Sequence, residues 1–262
     1  MNVKSTVLKL NWDQDLPKYY FDSSPFKTHL FNSISIMFEH GEVFFIKSVN
    51  YYRDIVTDPA QLKTIDNFIK QEAGHTLIHK KYNEWISSHG LPKDYIENTT
   101  LKHLNRFEKI FGNKGCLVTT TTLEHITAIA AEYVLLHPTV MEKMHPHFRE
   151  IWEHHSIEEI EHKAVAMSIL NKIGSYKFRR FINVITWSPA FIFCAIANTI
   201  RLLRADKQLW KWRTVKDAVD LLFNYRHGIF TKLIFPWMRC LKINFHPNNH
   251  DTTLLLQRFA KV

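Results

Sequence analysis

The chain has 262 residues and a formal net charge of +9, with only seven Gly and nine Pro; it can bury a sizeable core, and its sparse punctuation excludes a turn-rich β fold. Its three cysteines, Cys116, Cys194 and Cys240, are odd in number and far apart, which excludes a disulfide framework or a zinc ribbon and points to a reducing compartment. The charge is polarised: from Lys172 onward 16 Lys/Arg stand against 4 Asp/Glu (16 − 4 = +12), leaving 18 against 21 (−3) in residues 1–171.

In chain order, residues 1–25 read as an extended arm containing Pro17 and Pro25. A first helix is expected over about 26–53. Asp58-Pro59 restarts the chain, with Pro59 suited to the first turn of a helix that runs through Ser88. His89-Gly-Leu-Pro92 is a stop. A crossover helix is expected from Lys93 to Ile110, a break at Phe111–Gly115, and a third core helix to Leu136. His137-Pro138 ends it, and Pro146 precedes a fourth helix through Ile173, closed by Gly174-Ser175. Four long helices with a crossover between the second and third give an all-α, ferritin-like four-helix bundle over 26–174. Residues 175–262 form an extra apolar and basic helical appendage, packed on the bundle or on a membrane surface.

The helical periods put polar groups where an apolar stripe should continue. Ile65, Phe68, Glu72, His75, His79 and Tyr82 share one face, as do His155, Glu159, His162, Ala166 and Ile169. Two segments read Glu-x-x-His: Glu72–His75 and Glu159–His162. Residues three apart on a helix project from one side, so each pair presents a carboxylate and an imidazole together. In dinuclear carboxylate bundles two further helices each add one Glu, and here those are Glu42 and Glu124. Helix heights agree. Glu42 to Arg53 and Gln61 to Glu72 are both 11 residues, and Glu124 to Leu136 and His147 to Glu159 are both 12.

The rivals are Glu39 for Glu42 and Glu132 for Glu124. His155, one turn before Glu159, joins the ligand set as a seventh member or stands behind it as a hydrogen-bonding histidine. The same choice applies to His79, which is kept outside the set. His40, His125 and His154 are turned about 100° away by helical geometry and are expected to face outward. The expected metal ligands are therefore Glu42, Glu72, His75, Glu124, His155, Glu159 and His162, holding two metal ions, iron or manganese.

The segments Gly41-Glu-Val-Phe-Phe45, Gln71-Glu-Ala-Gly-His75, Thr122-Leu-Glu-His125, Glu158-Glu-Ile-Glu-His-Lys-Ala-Val165 and Phe245-His-Pro247 resemble a bacterial family described as predicted metal-dependent hydrolase, over nearly the whole chain. The order of ligands is also similar to the di-iron p-aminobenzoate N-oxygenase family, over the bundle only. That second resemblance implies that Glu42 and His75 serve one iron, that Glu124, His155 and His162 serve the other, and that Glu72 and Glu159 bridge.

Mixed carboxylate and imidazole ligands suit iron or manganese better than four-coordinate zinc. The leading expectation is a di-iron or Mn/Fe oxidoreductase that activates O2 to oxidise an apolar organic substrate. The alternatives are a dinuclear hydrolase and a non-catalytic metal-binding protein. Residues 181–200 are uncharged, with Arg179 and Arg180 before them and Arg201 and Arg204 after. They read as a helix packed on the bundle, a segment lying on an anionic membrane surface, or a span interrupted by Pro189. The expected partners are a small apolar or lipid-like substrate, O2, an anionic membrane surface and a second copy of the chain. No nucleic-acid signature occurs. With no leader pattern at the N-terminus, the expected location is the cytoplasm, peripheral at the inner membrane face.

Overall fold

The computed structural model describes residues 8, 10–174 and 176–259. Helix starts follow local chemistry. α1 (Pro25–Asn50) begins where Ser24 Oγ accepts from the Lys27 amide, with Pro25 in the first turn. α2 (Pro59–Ser88) repeats the device with Asp58 and Pro59. It is followed by Gly90 at φ +70°, the left-handed conformation that glycine adopts most cheaply. α3 (Lys93–Leu136) contains the expected break as a kink at Gly112, φ +60° and ψ −174°, which separates the crossover segment from the core segment. Pro138 opens the single turn α4 (Pro138–Met141), and Pro146 opens α5 (Pro146–His162).

The fourth core helix does not run unbroken to Ile173. Lys163 and Ala164 form a turn, and α6 (Val165–Ile173) starts afresh. There the Lys163 ammonium turns into the C-terminal segment, donating to the His250 carbonyl at 2.8 Å and to Thr252 Oγ1 at 2.9 Å. Gly174 ends α6 at φ +133°; Ser175, expected to share that role, lies outside the described residues. The remainder forms α7 (Lys177–Ala205), α8 (Trp212–Phe223), α9 (Ile229–Arg239) and α10 (Thr253–Phe259).

The class is all-α, with no strand among the described residues beyond an isolated Phe21–Met144 bridge. α1 lies against α2 and α3, and α5 lies against α3 and α2, so these four helices enclose a common interior. α7 packs along the outside of α1 and α3. Apolar residues of the interior form two separate clusters. On α1, Ile36 belongs to one and Phe44 to the other; on α2, Tyr82 and Phe68; on α3, Ala131 and Leu117; on the fourth side, Trp152 of α5 and Val165 of α6. Between these pairs, at one level, lie Glu42, Glu72–His79, Glu124 and His155–His162. A polar layer thus interrupts the core.

The N-terminal arm is tied in rather than loose. Leu16, Tyr20 and Phe21 are buried, and Tyr20 stacks on Phe148 with ring centroids 3.9 Å apart. Asp206, just after α7, accepts from Lys18, from the Tyr19 hydroxyl at 2.7 Å and from His29 Nε2 at 3.0 Å. Burial opposes its charge, but the hydrogen bonds from His29, Lys18 and Tyr19 hold its carboxyl well below the usual range. A carboxyl depressed on folding stabilises the fold above its unfolded value of 3.8 and loses that contribution as the pH falls below it. Asp206→Asn should therefore cost about 2 kcal/mol in denaturant unfolding at pH 7, and the gap from the parent protein should close progressively below pH 3.8.

Candidate metal centre

The polar layer gathers all seven predicted ligands, and every one is buried. Four of them, Glu72, His75, Glu159 and His162, bring N and O atoms within 4.8 Å of one another. Beside them Glu42, His79 and His155 form a second group on the same criterion. His79, kept outside the predicted set, thus stands among the potential ligands. Glu124 belongs to neither group but touches the first, its Oε2 lying 3.1 Å from His162 Nδ1.

His75 and His162 each have one nitrogen held by a carboxylate and one turned to the centre. His75 Nε2 is 2.9 Å from Glu158 Oε2, and His162 Nδ1 pairs with Glu124. The opposite nitrogens, His75 Nδ1 and His162 Nε2, make no hydrogen bond. They lie 3.8 Å and 3.2 Å from Glu72 oxygens. A carboxylate that takes the N–H of an imidazole fixes its tautomer and aims the bare nitrogen at a metal. Sequence spacing passed over Glu158 in favour of Glu159, because a hydrogen-bonding partner need not share the ligand face of its helix.

A longer chain of donors sets His79. Asn83 Nδ2 donates to Glu39 Oε2 at 2.8 Å and to the Ser35 carbonyl at 3.3 Å, so its Oδ1 accepts the Ser35 hydroxyl at 2.9 Å. Ser35 Oγ in turn sits 2.9 Å from His79 Nδ1. With the hydroxyl proton already committed, that nitrogen must donate, and Nε2 is left bare. It faces His155 Nδ1 at 3.3 Å and Glu42 Oε1 at 3.7 Å. Glu39 and Glu42 are placed differently. Glu39 anchors Asn83, whereas both Glu42 oxygens face the centre without a hydrogen bond. Ser35 and Asn83 are polar residues on buried helical faces, and that position was the available signal for them.

The other candidates lie elsewhere. Glu132 pairs with His250 at 2.9 Å. His40 and His154 are half-buried beside Glu97 and Glu158. His125 points away from the centre but not into solvent. It is buried edge-on against Phe245, because the C-terminal segment covers that face.

The electrostatics are those of a site built for cations. Burial, with Glu159 nearby, pushes Glu72 up to about 7. Burial likewise holds Glu42 and Glu124 well above the carboxylate range. Burial opposes ionisation of Glu159 too, but the nearby imidazoles of His155, with Nε2 at 3.2 Å, His162 and His75 hold it near 2. Burial and the charge of His75 lower His155 to about 4, and burial sends His79 well down. Leaving buried carboxylate and imidazole atoms unpartnered is costly, and here they converge. The oxygens of Glu42 and Glu72, Glu124 Oε1, His75 Nδ1, His155 Nε2 and His162 Nε2 all lack a hydrogen bond. Four ionised carboxylates would balance two divalent ions, and the donor set fits a dinuclear centre.

Two outcomes are expected. Purified protein should bind about two divalent ions per chain; Glu42→Gln should reduce this while Glu39→Gln leaves it unchanged, read by elemental analysis. The metal-free chain should also lose stability as the pH rises from 6.5 to 8. Above 6.5, the ordinary imidazole value, His79 and His155 are neutral folded and unfolded. Glu72, raised to about 7, then sheds a proton that the unfolded chain has already lost, and His75, held high by Glu158, acts in the same sense. Thermal melts with chelator should show this decline, and bound metal should abolish it.

One family model, described as predicted metal-dependent hydrolase, matches residues 6–251. Neither the curated proteins nor the solved structures yield a match. A match of that extent, on a chain whose buried core gathers His/Glu clusters able to hold metal, shows that the protein belongs to the predicted metal-dependent hydrolase family.

Proposed function

We propose that the protein is a hydrolase with a dinuclear metal centre that acts on an apolar or lipid-like substrate. The observation that supports this is the pair of adjacent buried donor groups with bare, converging N and O atoms, in a member of a family described as hydrolytic. Bound divalent ions would supply a Lewis acid for a carbonyl or phosphoryl oxygen and a water acidic enough to attack it. Glu72, His75, Glu159 and His162 would hold one ion and Glu42, His79 and His155 the other, with Glu124 bordering the first.

The chain's own residues do the rest. Glu158 and Glu124 keep the imidazoles of His75 and His162 aimed inward. The Thr127 hydroxyl donates to Glu159 Oε2 and holds that carboxylate in place. Glu42, whose two oxygens make no hydrogen bond with the protein, would keep both of them available to the second ion and to a water beside it. Phe38 stacks on His155 at 5.1 Å, and Phe191 of α7 stacks on Phe38 at 6.5 Å. Both phenyl rings are only half-buried. They mark an apolar approach to the centre from the α7 side. A cleft of about 220 Å³ between α6 and the segment Ile243–His246 includes none of the ligands in its lining.

A second reading is oxidation of an apolar substrate by O2 at a di-iron or Mn/Fe centre. The specific observation in its favour is the dry aromatic shell, with Phe38 on His155 and Phe68 edge-on to His162 at 5.0 Å. Such a shell protects reactive oxygen species. One experiment separates the two. Metal-free protein is loaded with Mn, Zn or ferrous iron and offered acyl-ester and phosphodiester panels with and without oxygen. Hydrolysis should depend on metal, proceed without oxygen and fall at least about 100-fold in Glu72→Gln. Product formed only with ferrous iron and O2 would replace the hydrolase reading by the oxidative one.

A further inference from the structure

α7 is long and apolar enough to cross a membrane, yet only 17 % of its most apolar stretch is buried. Its two faces differ. Arg180, Val184, Ser188, Ala195 and Thr199 face inward, towards the bundle. Arg180 donates to the carbonyls of Cys240 and Lys242, Asn183 Oδ1 accepts from Thr119 at 2.6 Å, and the Ala195 carbonyl accepts from Ser33 at 2.9 Å. Phe178, Ile182, Ile185, Pro189, Phe193 and Ile200 are exposed. Spaced by four, three, four, four and seven residues, they form one continuous stripe along the opposite side. Phe178 is 76 % and Phe193 73 % exposed, although such side chains ordinarily find cover.

We propose that this stripe is a docking face for an anionic membrane surface. The charge selects that occupant. The stripe starts beside Lys177 and Arg179 and ends at Arg204, in a region of 16 Lys/Arg against 4 Asp/Glu. The turn after it sets Trp210 at 85 % and Trp212 at 79 % exposure beside Lys207, Lys211 and Arg213. Indole and ammonium side by side suit the boundary between headgroups and acyl chains. A second copy of the chain would bring the same positive charge against itself.

Lying on the membrane fits better than crossing it. The inward face is committed to α1 and α3 through the hydrogen bonds above. Pro189 sits on the exposed side and removes the amide that would serve the Ile185 carbonyl. At an interface water and headgroups can meet that carbonyl, whereas hydrocarbon cannot. Phe191, about 200° round the helix from Pro189, meets Phe38 of α1 on the inward face, so the stripe is free to meet lipid without disturbing that pair. The docking itself does not depend on the hydrolytic reading.

The test is vesicle flotation of the full, metal-loaded chain. Vesicles of phosphatidylglycerol mixed with phosphatidylcholine should float the protein, and phosphatidylcholine alone should hold far less. Raising salt should release it several-fold. Phe178→Ser/Phe193→Ser and Arg204→Glu/Lys211→Glu change exposed side chains, so helix content and metal content should stay unchanged. Each pair should weaken binding at least about tenfold. Equal binding of both variants to the parent level, or indifference to anionic lipid, would overturn the proposal. So would a dimer in light scattering that Phe178→Ser/Phe193→Ser dissolves while vesicle binding is absent. Hydrolysis of soluble substrates by protein that ignores vesicles would sink the docking and leave the hydrolase reading standing.

Discussion

Everything in this protein is organised around one unfavourable act, the burial of four carboxylates at a single level of an apolar core. Glu42, Glu72, Glu124 and Glu159 are nearly removed from solvent, and their mutual repulsion in a low dielectric cannot be met by imidazoles alone. The fold answers by surrounding the layer with apolar residues on both sides. The two hydrophobic clusters hold the helices in register while the polar layer between them stays short of partners. The stabilisation that the layer forgoes in the metal-free chain is regained on binding cations, so metal affinity and folding stability draw on the same interactions.

The fold was legible where local chemistry decides it. Pro25, Pro59, Pro138 and Pro146 stand in first turns, and Gly90 and Gly112 mark a stop and a kink. The two Glu-x-x-His pairs were legible because helical spacing alone places their side chains together. What escaped depends on partners distant in sequence. The Glu39–Asn83–Ser35–His79 chain joins two helices, and only their packing shows that His79 presents a bare nitrogen. The break at Lys163–Ala164 was invisible because neither residue is a helix breaker. The Lys163 ammonium instead finds its acceptors at His250 and Thr252, about 90 residues on. His125 was read as outward because nothing in its own helix announces that the C-terminal segment covers it.

The site also separates two kinds of histidine neighbour that a motif cannot. Glu158 and Glu124 hold N–H groups, while Glu72 and Glu159 face bare nitrogens, although all four are glutamates on the same helices or next to them. The distinction lies in which imidazole nitrogen is spoken for. Family membership names hydrolysis in coarse terms, and it agrees with a core that gathers His/Glu clusters able to hold metal. Phe191 meets Phe38 on the bundle side of α7, opposite the open apolar face.

The Asp206 hub has a consequence for how the molecule comes to be made. Its partners Lys18, Tyr19 and His29 precede it by 188, 187 and 177 residues. Lys18, Tyr19 and His29 therefore wait for this partner until α7 has been synthesised, whereas Tyr20 can meet Thr28 and Asn32 of α1 and Phe148 of α5 earlier. The bundle helices can meet earlier, since their contacts close over shorter stretches of chain. Packing of Tyr20 and Phe21 on the core can thus come before the Asp206 clamp, which fastens Lys18 and Tyr19 last.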